Sequence, residues 1–244
     1  MPLSVALAAK DGSAYLEEQV ASILPQLHAD DELIISVDPS SDNTRELAER
    51  LATDAPCIRV IDGPGQGVIR NFEHALETTR NERIFLCDHD DIWMPNKVAE
   101  VLRAFVESNA LLVIHDAQVV DQELAPVAPS YFKLRKSGPG YRKNLLKNTY
   151  IGACMAFTRQ LKRLALPFPV GIPMHDQWLG LLAEKHGSVC FLDEALIQYR
   201  RHGANATSST HADLAQMLVW RKDLIRALSQ REKELKERER NGKL

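Results

Sequence analysis

Three carboxylates fall within four residues at Asp88-His89-Asp90-Asp91, directly after the apolar run Ile84-Phe85-Leu86-Cys87. Hard oxygen ligands in an Asp-x-Asp arrangement suit Mn²⁺ or Mg²⁺ and leave coordination positions open for diphosphate oxygens. A cation held there neutralises charge building up on a departing diphosphate. It also offsets the mutual repulsion of neighbouring carboxylates. The competing reading is a solvated loop in which one Asp caps the following helix. Placement after a buried strand favours the ligand reading, because open parallel sheets bind ligands outside the carboxyl ends of their strands.

Such a strand end needs a sheet behind it, and the first half of the chain reads as one. Short apolar runs at Leu3–Ala9, Glu32–Val37, Cys57–Ile61, Arg83–Cys87 and Leu111–His115 predict strands. Between them, Ala14–Leu24, Asn43–Ala52, Val68–Thr78 and Asn96–Ser108 carry helical patterns, the second with Asp42 or Ser41 as its N-cap. Regular alternation predicts an α/β fold with parallel pairing, right-handed crossovers and helices on both faces. The second half differs. Residues 117–140 read as a long loop carrying Tyr131 and Phe132. A short helix near Tyr141–Asn148, an apolar segment Ile151–Phe157, a Pro-rich turn and a helix His175–His186 follow. Two apolar runs, Val189–Leu192 and Ala195–Tyr199, precede a C-terminal helix from His211 that ends in the mixed-charge run Arg231–Arg240. That run predicts a solvated or frayed helix end.

Composition narrows the function. The 244 residues are 45% hydrophobic and 26% charged, as in ordinary globular chains, and the net charge of −3 gives no overall attraction to nucleic acid. The four cysteines, Cys57, Cys87, Cys154 and Cys190, form no CxxC pair and read as free thiols of a reducing compartment. The run at Leu3 lacks a preceding basic residue and reads as a strand rather than a leader. No stretch approaches the roughly 20 apolar residues of a membrane span. The expected location is cytoplasmic, with peripheral attachment at the inner membrane left open. The absence of G-x-G-x-x-G after the first strand argues against a dinucleotide-dependent dehydrogenase.

The run Asp88-His89-Asp90-Asp91-Ile92-Trp93-Met94-Pro95-Asn96-Lys97 resembles the DxDD-x-W-x-P-x-K signature of family-2 glycosyltransferases with the GT-A fold, nearest the bacterial rhamnosyltransferase-like branch that builds surface polysaccharides. Leu16-Glu17-Glu18-Gln19-Val20 is similar to the family's first helix, and Asp38-Pro39-Ser40-Ser41-Asp42-Asn43-Thr44 to its Asp-Asp-Gly-Ser turn. Gly67 with Arg70-Asn71-Phe72, His115-Asp116, Gly152-Ala153-Cys154, His175-Asp176-Gln177-Trp178 and Tyr199-Arg200-Arg201-His202-Gly203 follow in family order. Val37 and Pro39 depart from the family at the first turn, and Lys10-Asp11 replace its usual Tyr-Asn. The resemblance implies a Rossmann-like, mostly parallel GT-A sheet over residues 1–207 plus a C-terminal helical extension over 208–244. Residues 1–116 would form the nucleotide-sugar half and 117–207 the acceptor half.

It also implies roles. Asp38 would bond the nucleobase of a UDP- or dTDP-sugar, or merely open a turn with Pro39. Ala9, Arg70, Asp88 and His89 would also contact the donor, although Arg70 could instead pair along its helix with Glu73 or Glu77. Asp90 would be the principal metal ligand, with His202 beside it and Arg200 closing over the diphosphate. Asp176 would be the catalytic base of an inverting transfer, or the N-cap of its helix, whose N-terminus would keep it ionised. His175 and Trp178 would meet the acceptor, a saccharide or lipid-linked saccharide, although Trp93 and Trp178 suit a core equally well. The C-terminal helix is a candidate homodimer surface. The alternatives are a sugar nucleotidyltransferase and a non-catalytic nucleotide-sugar-binding protein of the same fold.

Overall fold

The computed structural model describes residues 1–201 and 214–241. Strands β1 (Leu3–Ala9) and β2 (Glu32–Val37) are buried along their whole length and pair in parallel. Runs that are apolar on both faces belong at the centre of a covered parallel sheet. β3 (Ile58–Asp62) joins β2, and β4 (Arg83–Asp88) joins β1, again in parallel. Helices α1 (Leu16–Ile23), α2 (Thr44–Asp54), α3 (Val68–Thr78) and α4 (Lys97–Ser108) alternate with them. The N-cap of α2 is Asn43, not Asp42 or Ser41. Asp42 instead accepts from the backbone N–H groups of Thr44 and Ser13, tying α2 to the loop after β1.

Beyond Asp88 come β5 (Ile92–Trp93), β6 (Leu112–Val120), β7 (Pro126–Ala128), α5 (Tyr131–Arg135), α6 (Tyr141–Leu146), β8 (Met155–Thr158), α7 (Arg159–Ala165), α8 (His175–His186), β9 (Val189–Arg200) and α9 (Leu214–Arg240). The sheet order is β3-β2-β1-β4-β8-β6-β9-β5, with β7 paired to β6. β8 lies antiparallel between β4 and β6, so the sheet is mostly rather than wholly parallel.

Residues 117–140 are not the single loop that their Pro, Ser and Gly content predicts. β6 runs on to Val120, and β7 and α5 occupy much of the remainder. The two apolar runs at 189–199 are one strand. Its register against β6 jumps from His115↔Leu192 to Asp116↔Ala195, so Asp193 and Glu194 bulge out of the ladder. The charged run of α9 is not simply solvated either. Leu224, Leu228, Arg231 and Leu235 are buried at helical spacing. The Arg231 guanidinium donates to the Leu164 and Pro167 carbonyls at 2.7 and 2.5 Å and sits over the Trp178 ring. Among the described residues no helix is long and apolar enough to cross a membrane. All four cysteines are free thiols.

Candidate functional site

β4 delivers Asp88 to the carboxyl edge of the sheet, and the chain then turns through His89-Asp90-Asp91 into β5. The end of β9 holds this turn. The Arg200 N–H donates to Asp91 Oδ1 at 3.0 Å, and its guanidinium donates to the carbonyls of Asp90 (2.8 Å) and Gln122 (2.6 Å) and to Glu18 Oε2 (2.6 Å). Underneath lies Lys97, buried, with its ammonium 3.9 Å from the Trp93 ring centroid and donating to the Ala153 carbonyl at 3.1 Å. Burial lowers its pKa to about 8. Burial, followed by the charges of Asp90 and Asp176, pushes the Asp88 carboxyl up to about 7, against the opposing pull of Lys97. Asp91 is raised by burial and then by the charges of Asp90 and Asp88, and its Oδ2 is buried without a hydrogen-bond partner.

Asp176 approaches from the other half of the chain. It is the second residue of α8, whose N-cap is Met174, so Asp176 is not the cap. Its Oδ1 accepts from Asn148 Nδ2 at 2.9 Å and from the Gln177 N–H at 2.6 Å. Burial outweighs these bonds and raises its pKa to about 6, the reverse of the depression expected from the helix N-terminus. The turn Gly152–Cys154 passes directly above α8. A Cβ on Gly152 would stand 2.9 Å from His175 Nε2 and 3.8 Å from Asp176 Cβ, and the next carbonyl, Ala153, is the one that Lys97 holds. Asp176 is thus linked through Gly152-Ala153 to Lys97, and its charge adds to the rise of the Asp88 pKa after burial and Asp90. Tyr131 and Tyr199 pack edge to face at 5.7 Å beside this gap, each with its phenol raised by burial.

The ends of β1, β2 and β3 form a wall beside β4 at the same carboxyl edge of the sheet. Asp38 is buried; its N–H donates to the Ala9 carbonyl at 2.9 Å and its Oδ1 accepts from the Gly65 N–H at 2.9 Å. A Cβ on Gly63 would fall 2.4 Å from that oxygen, so the β3–α3 turn needs glycine there. Asp11 accepts from both the N–H and hydroxyl of Ser41, locking the turns after β1 and β2 together. His89 crosses to this wall, lying so close to Gly12 that a Cβ would be 2.3 Å from its ring.

The comparisons with known proteins fit this geometry. The model of "Glycosyl transferase family 2" matches residues 4–165. The chain belongs to this family. Over 219 residues it is 30% identical to the "Uncharacterized glycosyltransferase alr2836" of Nostoc sp., covering 84% of this chain and 66% of that protein. It is 26% identical to the "dTDP-rhamnosyl transferase RfbG" of Shigella flexneri, covering 82% and 72%. Among solved structures, S. aureus TarS 1-349 in complex with UDP-GlcNAc superposes with a TM-score of 0.69 at 17% identity, over 92% of this chain and 66% of that one. The mannosyltransferase PcManGT from Pyrobaculum calidifontis, with GDP-Man and Mn²⁺, gives 0.62 at 14% identity, over 84% and 58%. The fold is therefore GT-A, and the chain spans about two thirds of the length of the Nostoc protein and of the TarS 1-349 fragment.

In this glycosyltransferase several residues stand elsewhere than their types suggest. Trp178 is a core residue, not an acceptor platform: it is fully buried, its Nε1 donates to the Ala165 carbonyl at 3.1 Å, and Arg231 covers its face. Its helix α8 is buried on every side through Ala183. Replacing Trp178 with Phe is expected to cost about 1–3 kcal/mol of stability, measured by denaturant unfolding, with the acceptor KM unchanged. His175 is likewise buried, its ring 4.3 Å from that of Phe72 and its pKa lowered to about 4 by burial. Ala9 is buried, and its carbonyl accepts from the Asp38 N–H. Arg70 pairs with Glu73, as the helix-pairing alternative has it, and donates to the Phe168 carbonyl. Arg200 clasps the acidic turn through the Asp90 carbonyl. His202 lies outside the described residues.

The acidic turn fits a divalent cation in kind. Its donors are hard carboxylate oxygens that repel one another while buried. Among the described residues no three His, Cys, Asp or Glu side chains are placed to share one ion, so diphosphate oxygens would complete the coordination.

Proposed function

We propose that this family-2 glycosyltransferase transfers a sugar with inversion from a UDP- or dTDP-sugar to a hydroxyl of a saccharide or lipid-linked saccharide, in the building of a bacterial surface polysaccharide. What supports it is that Asp176, buried and held by Asn148, lies near enough to Asp88 for its charge to contribute to the raised Asp88 pKa, after burial and Asp90. A cation held by Asp90, with Asp88 beside it, would neutralise the departing diphosphate. Asp176 accepts the proton of the acceptor hydroxyl as that oxygen bonds to the anomeric carbon and the bond to the diphosphate breaks. Asn148 holds Oδ1 of Asp176 in place, so the carboxylate faces the crevice in one orientation. Asp38 accepts from the ring N–H of uracil or thymine, and His89 and Asp88 flank the donor.

A thermal-shift panel of nucleoside diphosphates and their sugars, with and without Mn²⁺, tests the donor assignment. UDP or dTDP compounds are expected to raise Tm, and more so with Mn²⁺. Asp38→Asn keeps an acceptor for the Gly65 N–H but loses the charge, and should weaken those ligands roughly tenfold or more. No shift with any nucleoside diphosphate would sink the reading. Pyrophosphate release from a nucleoside triphosphate would replace it with nucleotidyl transfer.

A further inference from the structure

Between Glu123 and Asp176 the chain has no acidic residue but nine Lys and Arg, in a protein whose net charge is −3. Two of the nine are occupied in the fold, Lys162 donating to the Leu76 and Thr79 carbonyls and Arg159 pairing with Glu82, and a third, the exposed Arg163, lies away from the rest on α7. The other six belong to α5, α6 and their flanks, and all six are exposed. Among the described residues none of these six forms an ion pair with a carboxylate. Two leucines stand out between them, Leu134 and Leu146, at 53% and 61% exposure.

The first turns of α9 extend this surface. Arg221 donates through Nε and Nη2 to the Leu146 carbonyl at 3.0 and 2.7 Å, which fixes α9 against the end of α6. Leu218 and Ile225, seven residues apart and so on the same helical face as Arg221 and Lys222, are 63% and 49% exposed. The face that α9 buries lies further along, at Leu224, Leu228, Arg231 and Leu235. Leu146, Leu218 and Ile225 thus project from a field of Arg142, Lys143 and Lys222. Aliphatic side chains protruding among unneutralised cations match a lipid–water interface, where the apolar groups enter the acyl boundary and the cations meet anionic headgroups.

We propose that α5, α6 and the start of α9 form a docking face for an anionic phospholipid bilayer. A second copy of the chain fits less well, because apposing this face with itself would bring like charges together. Nucleic acid gives no role to the aliphatic projections. The face also adjoins the acceptor side of the crevice. α6 leads directly into Asn148, which holds Asp176, and Tyr131 at the start of α5 lies within reach of the Asp176 charge. Its biological sense rests on the transfer reading above, since a lipid-linked acceptor would reach Asp176 from the membrane plane.

Co-sedimentation of the full chain with vesicles tests this. Binding is expected to phosphatidylcholine vesicles containing phosphatidylglycerol and not to phosphatidylcholine alone, with release by high salt. The triple variant Arg142→Gln, Lys143→Gln, Lys222→Gln should bind on the order of a hundredfold more weakly, at roughly fivefold per charge. Leu218→Ser with Ile225→Ser should weaken binding at least tenfold. Both variants touch only exposed side chains and should keep the wild-type Tm and the wild-type shift with nucleoside diphosphates. Failure to sediment, equal sedimentation with neutral vesicles, displacement by RNA at equal salt, or a dimer that the Leu218/Ile225 variant dissolves would each overturn the proposal. A wild-type chain that bound vesicles but no nucleoside diphosphate would instead sink the transfer reading.

Discussion

Asp176→Asn is expected to lower kcat for transfer by about 10²–10⁴, the usual worth of a positioned general base, while the donor Kd changes less than about twofold. The amide keeps an acceptor for the Asn148 and Gln177 donors, so the local geometry should survive. What it loses is the ability to take a proton. In the wild type the same carboxyl should show as a limb in kcat/KM. With its pKa raised to about 6 by burial, activity should fall as pH drops through that value, because the protonated form is not a base.

The substitution should also stabilise the protein, which separates a functional carboxylate from a structural one. The pKa stands near 6 in the folded chain against 3.8 as the reference, so the fold binds this proton more tightly than the unfolded chain does. The penalty for ionising it is absent below the lower value, grows between the two, and is complete above the upper one. Asp176→Asn removes that penalty and should gain roughly 1–3 kcal/mol at pH 8, with the gain vanishing near pH 4. Denaturant unfolding at the two pH values measures it. A variant with wild-type kcat, or one that is less stable at pH 8, would reject Asp176 as a buried base kept for chemistry.

The sheet was open to reading because its centre is locally determined. β1, β2, α3 and α8 begin and end where apolar runs and helical periodicity place them. The failures share a cause in pairing that no local pattern encodes. β9 looks like two segments because Asp193 and Glu194 interrupt its apolar run, and only the partner β6 makes it one strand. Residues 117–140 have loop composition, yet Asp116 collects Ser130 and the Phe132 N–H and folds that stretch back on the sheet. In the site, the acidic turn stands out by type and spacing, and Asp176 only through the family resemblance. Trp178 could not be assigned, because an indole suits a sugar face and a core equally until α9 is known to lay Arg231 across it. Asn148 and Lys97 act through contacts with distant segments, and a neutral amide after a basic helix carries no signal of its own.

Arg200 shows most clearly how such distant pairing makes the site, and its loss should have the largest structural effect. Arg200→Met keeps the aliphatic stem and the backbone N–H that Asp91 accepts, so the measurement isolates the guanidinium. That group joins Glu18, 182 residues away, to the Asp90 and Gln122 carbonyls and stacks on Tyr15 at 4.8 Å. Removing this donor from the buried Asp90 carbonyl should cost roughly 1–3 kcal/mol, with a smaller loss at the part-buried Gln122 carbonyl. Arg200→Lys should recover only part of it, since one ammonium cannot span the separate acceptors of the planar fork. The turn that carries Asp88 and Asp90 would then relax, and a displacement of about 1 Å at such a site costs on the order of 10²-fold in rate. Unfolding midpoints and kcat measured on the same preparations should therefore fall together in the order wild type, Lys, Met. If Arg200→Met kept its midpoint, or lost stability with kcat unchanged, the acidic turn would have to owe its shape to β4 and β5 alone.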